Sequence, residues 1–140
     1  LTVQLWHANV KDRVKAHQFK PKIDFLVLDG IPRNVEQARY LEEHIDVLQV
    51  FHLSCPDRSE LARRLRKRAL KDNRFDDASE SVIQKRFATY EEETKPILEY
   101  YTKDRVTEID ASQSPARVLH DIISKILVLP EWQEIEAMKI

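Results

Sequence analysis

Glycine is almost missing from this sequence. Gly30 is the one glycine in 140 residues, where an ordinary chain carries about 7%. A phosphate-cradling loop of the Walker type needs at least two glycines at fixed spacing before a lysine, so no such loop lies within these residues. Cysteine is as scarce. Cys55 stands alone, which excludes an internal disulfide, cannot by itself form a zinc site and fits a reducing compartment. Long apolar runs are lacking too: Phe25-Leu26-Val27-Leu28 and Ile126-Leu127-Val128-Leu129 fall far short of the roughly 20 residues of a membrane helix, and no signal-peptide pattern precedes them. No membrane partner is expected, and a cytoplasmic location follows as the default. The five histidines, His7, His17, His44, His52 and His120, show no metal-ligand spacing, so no protein-held metal is expected. The sequence opens at Leu1 rather than at methionine, which sets the expectation that an N-terminal piece precedes it.

What is present describes an ordinary folded domain. The chain is 42% apolar, with 23 basic against 24 acidic residues, enough for one real core and too apolar for disorder. The balance conceals an asymmetry. Arg63, Arg64, Arg66, Lys67, Arg68 and Lys71 crowd one segment, and Glu91, Glu92 and Glu93 crowd another. That pattern points to an anionic ligand more than to a protein that coats a polyanion.

Along the chain, residues 1–16 are predicted helical, with Val3, Trp6, Val10 and Val14 on one stripe. The β-rich run 25–28 predicts a buried strand that ends in the turn Asp29-Gly30. Asn34 with Gln37 predicts a capping box opening a helix over 35–44. A strand is predicted over 47–53, a helix over 59–70 with Leu61 and Leu65 on its buried face, and a loop over 71–78. A long helix over 79–101 should kink at Pro96. A third strand over 105–109 and an amphipathic helix over 115–127 complete the series. Strands alternating with helices define an α/β class, a parallel sheet flanked by helices, which takes ligands at the carboxyl ends of its strands. Asp29, Cys55 and Asp110 lie just past those ends. Three strands are few for such a sheet, so a missing strand is expected.

Three segments carry residues suited to phosphate chemistry. In Asp29-Gly30-Ile31-Pro32-Arg33-Asn34-Val35-Glu36-Gln37, a carboxylate at a strand end can orient metal-bound water. A guanidinium after a rigid proline can grip a phosphate bidentately. Read alone, the same residues also make a plain turn with an exposed arginine and a capping glutamine. Farther on stand Arg64-Leu65-Arg66-Lys67-Arg68, Arg74-Phe75-Asp76-Asp77 and Lys85-Arg86-Phe87. Arg64 and Arg68 are one helical turn apart and project from one face, as they also would on a solvated basic helix. Asp110-Ala111-Ser112-Gln113-Ser114-Pro115 reads as a strand-to-helix turn with Ser112 or Ser114 as cap.

In this order and nearly in this spacing, the segments resemble the adenylate kinase family over roughly residues 20–128. The first is similar to the family's DGFPR-x3-Q signature, with Ile31 where phenylalanine is usual. The second resembles its lid, of the short type, with one extra residue between Asp77 and Arg86. The resemblance implies a P-loop nucleoside monophosphate kinase fold lacking its N-terminal P-loop strand. Residues 1–129 would form a partial core with a lid loop at about 69–78, and 130–140 a C-terminal extension that Trp132 docks. It implies phosphoryl transfer from Mg-ATP to AMP in the intact parent protein, with this chain alone inactive. Arg68, Arg74 and Arg86 would be catalytic. Gly30, Ile31, Pro32, Arg33, Gln37, Arg74 and Arg86 would hold AMP. Arg64, Arg68 and Gln113 would contact ATP, and Asp29 would orient water on the Mg. Gln37 favours AMP, since pyrimidine-specific relatives usually carry asparagine there; a UMP/CMP kinase is the nearest alternative. A non-catalytic kinase-like interaction module and a nucleic-acid-binding domain using the Arg63 to Lys71 patch are the others. ATP and AMP are the expected partners, without nucleic acid, together with the missing N-terminal segment or a second copy of the chain.

Overall fold

A parallel pair of strands joins segments more than fifty residues apart. In the computed structural model, which describes residues 1–138, β1 (Val50–Ser54) lies beside β2 (Val106–Asp110), with Val50 opposite Val106 and Ser54 opposite Asp110. Parallel strands need a crossover. It is built here from α3 (Arg58–Lys71), a 3-10 turn (Phe75–Ala78), α4 (Glu80–Thr89), a π turn (Tyr90–Thr94) and α5 (Lys95–Tyr100). Helices α1 (Thr2–Lys15) and α2 (Val35–Glu42) precede the sheet, and α6 (Pro115–Ile126) and α7 (Pro130–Met138) follow it. The α/β class expected from the alternation is the one observed.

Local chemistry starts most of these helices. The side chain of Asn34 accepts from the Gln37 N–H at α2, Asp57 from Ser59 and Glu60 at α3, Ser79 from Val82 at α4, and Ser114 from Arg117 at α6. Each satisfies a donor that a helix N-terminus leaves open. The C-terminus of α3 closes as a Schellman motif. Arg74 N–H reaches the Ala69 carbonyl at 2.8 Å and Asn73 N–H the Leu70 carbonyl at 3.2 Å, with Asn73 left-handed at φ 55°, a conformation asparagine tolerates.

Two small cores hold the elements together. Val47, Val50 and Val106 pack on Ala38, Ile97 and Tyr101, joining the sheet to α2 and α5. Leu61 and Leu65 pack on Ala62, Ile83 and Phe87, joining α3 to α4, as the spacing of those leucines predicts.

Three expectations need correction. Residues 25–28 form no strand: Val27 is 81% exposed, because extended chain becomes a strand only by pairing and no neighbour pairs with it among the described residues. Among the described residues the sheet therefore has two strands, not three. The helix predicted over 79–101 is not continuous: a π turn at Tyr90–Thr94 interrupts it just before Pro96. Pro96 has no N–H for the Glu92 carbonyl and its ring crowds that carbonyl, so the turn before it widens. Strand bounds also shift, to Val50–Ser54 and Val106–Asp110. Of the expected extension 130–140, Pro130–Met138 fold as α7, and Trp132 packs against Phe25 with ring centroids 5.4 Å apart; residues 139 and 140 lie outside the described residues.

Candidate functional site

The Asp29 to Gln37 segment is a turn locked from both sides. Gly30 sits at φ 85°, in the left-handed region where glycine is the usual residue. Its carbonyl accepts from Arg33 Nε at 2.9 Å. Gln37 donates its N–H to Asn34 Oδ1 at 2.9 Å and accepts at Oε1 from the Arg33 N–H at 2.8 Å. The expected capping box is thus displaced by one residue: the glutamine holds the backbone of Arg33, not that of the N-cap. Arg33 and Asp29 are exposed. Among the described residues the two terminal nitrogens of Arg33 have no hydrogen-bond partner, so its fork is open to a ligand. A groove of about 330 Å³ lies alongside, lined in part by Asn34, Gln37 and Tyr40 of α2 and by Val3 and Gln4 of α1.

The arginines of the crossover divide into two groups. Arg63 and Arg64 both donate to Glu60, Nε to carboxylate at 2.7 Å in each case. Those hydrogen bonds, Arg63 first and then Arg64, pull the Glu60 carboxyl down to about 2. Arg66 pairs with Glu80, and Arg58 with Glu91. Arg64 then leaves its helix face: Nη1 donates to the Ala111 carbonyl at 2.5 Å and Nη2 to the Ser112 carbonyl at 2.8 Å. Arg68, one turn on, lies instead 4.0 Å from Asp72. Arg74 stands between Asp72 at 3.1 Å and Asp77 at 3.7 Å, and Arg86 meets Asp77 at 3.2 Å. Arg68, Arg74 and Arg86 thus gather around two carboxylates.

Between β2 and α6, Gln113 donates to the Asp110 carbonyl at 3.1 Å and to Asp121 Oδ2 at 2.8 Å. Asp110 accepts from the Ser112 hydroxyl and N–H, which lower its pKa. Ser114, not Ser112, is the helix cap. An apolar cavity of about 380 Å³ opens here, lined by Arg64, Ala111, Gln113, Pro115, Val118 and Leu119 among others. Arg64 and Gln113 therefore share one cavity, while Arg68, Arg74 and Arg86 form a second cluster. No hydrogen bond or ion pair joins either to the Asp29–Gln37 turn among the described residues. No group of three or more His, Cys, Asp or Glu side chains gathers to hold a metal among those residues.

The Asp29–Gln37 turn and the arginines of the crossover lie within a match to a known family; the Asp110–Pro115 segment lies beyond it. The adenylate kinase family model matches residues 2–106. The chain belongs to the adenylate kinase family. It is 36% identical over 106 residues to the adenylate kinase of Leptospira biflexa, covering 71% of this chain and 56% of that protein. The adenylate kinase of Thermobifida fusca is 39% identical over 113 residues, 77% of this chain and 58% of the relative. The uridylate kinase of Saccharomyces cerevisiae is 33% identical over 124 residues, 87% of this chain and 57% of the relative. The chain spans little more than half the length of these relatives.

Sequence reasoning missed Glu60 and Asp72. Glu60 was legible, because a carboxylate three and four positions before two arginines makes helical ion pairs. The Ala111 and Ser112 carbonyls carry no signal in the sequence, since every residue has a carbonyl. Asp72 was half legible in the same way as Glu60, since Arg68 stands four positions before it; its contact with Arg74 was not, because the cap of α3 sets it.

Proposed function

We propose that the parent protein of this chain is a nucleoside monophosphate kinase that transfers a phosphoryl group from Mg-ATP to AMP. The observation that carries the reading is the gathering of Arg68, Arg74 and Arg86 at Asp72 and Asp77. Phosphoryl transfer asks little covalent chemistry of a protein, and positive charge placed around the migrating group supplies most of the catalysis. Arginine suits that task, being always charged and able to form paired contacts to phosphate. In this reading Arg33 grips the AMP phosphate from the Gly30 turn and Gln37 stands at the base. Arg64 and Gln113 line the cavity for ATP. Asp29, exposed at the turn, fits a magnesium ion bound with nucleotide, which takes one or two protein carboxylates and keeps several waters; the ion would neutralise phosphate charge. Without a Walker loop, the 140 residues by themselves give no turnover.

Two observations bear on the rivals. UMP as acceptor draws support from the 33% identity to a uridylate kinase. A nucleic-acid surface draws less, because Arg63, Arg64 and Arg66 are each paired with Glu60 or Glu80, which offsets part of the charge of the basic stripe that a polyanion would need.

Steady-state kinetics with AMP, CMP and UMP on the parent protein test the reading. Arg33→Ala should weaken AMP use by at least about tenfold, since hydrogen bonds to charged groups contribute roughly 1.5–3 kcal/mol. Arg33→Lys should recover only part, keeping the charge and losing the fork. Unchanged AMP kinetics in Arg33→Ala would defeat the proposal.

A further inference from the structure

Asp72 breaks a local rule. It caps the C-terminus of α3, where the helix dipole presents partial negative charge and a carboxylate is disfavoured. The capping does not need its charge: the Schellman bonds come from the backbone of Asn73 and Arg74, and the left-handed position belongs to Asn73. The carboxylate faces Arg74 Nη2 at 3.1 Å and Arg68 Nε at 4.0 Å through a single oxygen. A residue that opposes its own helix dipole and meets two arginines is placed by those arginines.

We propose that Asp72 is a resident counter-anion of the arginine grip, standing at Arg68 and Arg74 where a substrate phosphate oxygen would stand and competing with it. The inference rests on the reading of Arg68 and Arg74 as phosphate ligands and deepens it. Two opposing effects are in play. Asp72 holds the guanidiniums together, which favours binding, and it must be displaced, which disfavours it. Exposure decides between them: the side chains of Arg68, Arg74 and Asp72 are 77%, 53% and 42% exposed. Repulsion between such arginines is screened by water and salt, so they need little help to stay near each other. The exchange of a singly charged carboxylate for a polyphosphate then makes the grip selective for highly charged anions.

The test titrates inorganic tripolyphosphate into the full-length protein by calorimetry at low and high salt. Asp72→Asn removes the charge and keeps the shape. Exposed ion pairs contribute about 0.2–1 kcal/mol each, so removing the two pairs made by Asp72, with Arg74 keeping Asp77 at 3.7 Å, should tighten binding roughly two- to thirtyfold at low salt. The gain should shrink at high salt, which a merely structural effect would not do. Asp72→Ser should act in the same direction. Arg74→Ala should weaken binding. If Arg74→Ala weakens binding but both Asp72 variants leave it unchanged or weaker, the counter-anion role is overturned and the phosphate site stands. If Arg74→Ala has no effect, the phosphate reading fails and this inference with it.

Discussion

Arg64 holds Ala111 by its carbonyl at 2.5 Å, across 47 positions of sequence. The other arm of the guanidinium takes the Ser112 carbonyl at 2.8 Å, and Nε is tied to Glu60 at 2.7 Å. Held at three points, the guanidinium plane forms a fixed wall of the 380 Å³ cavity and joins α3 to the loop that follows β2.

Losing that fork should be costly to stability. Arg64→Ala leaves two loop carbonyls without their charged donor, and with the group partly exposed the expected loss is on the order of 1–2 kcal/mol. Arg64→Lys should lose about as much, because an ammonium cannot span both carbonyls and Glu60. Denaturant unfolding measures both. Variants as stable as the parent would show that the loop holds itself.

Acid should loosen the same junction. The Glu60 carboxyl falls from 4.5 to about 2 through hydrogen bonds from Arg63 and Arg64. A folded pKa below the unfolded one adds stability that is fully present above about pH 4.5 and is lost as the pH falls toward about 2. Glu60→Gln should flatten the pH dependence of unfolding across that window. Parallel curves for the two proteins would contradict it.

Gly30 should resist replacement for conformational reasons. An added Cβ would meet nothing nearer than Arg33 Nη2 at 3.9 Å, so space is available. The backbone at φ 85° is the obstacle, and Gly30→Ala should cost about 1–2 kcal/mol. Gly30→Asn should cost less, since asparagine enters the left-handed region more easily. Thermal unfolding of both variants would reveal equal losses if sterics, rather than φ, were the cause.

The 140-residue chain should associate with itself. Leu119, Ile123 and Leu127, spaced four apart along α6 and its C-terminal end, are 57%, 44% and 44% exposed. An exposed apolar helix stripe of this kind favours association. Sedimentation should show a concentration-dependent size that Ile123→Glu with Leu127→Glu reduces. A monomer at every concentration would refute it.

By itself the sequence determined what depends on neighbours a few positions away. Asn34 beside Gln37 and Ser114 before Pro115 start helices through bonds that close within three residues, and Leu61 with Leu65 marks a buried face through helical period alone. The turn residues Asp29 to Arg33 and the ordered arginines carried the family for the same reason: a motif is local. Tertiary structure decided the rest. Residues 25–28 have strand composition yet pair with no strand among the described residues, because a ladder needs a second chain segment and composition cannot supply one. Arg64 and Arg68 share a helix face, yet one turns to a loop 47 residues on and the other toward a carboxylate four residues away. A long guanidinium side chain goes to the nearest acceptors; those of Arg64 are in place only once β2 has been laid beside β1, whereas that of Arg68 sits at the end of its own helix.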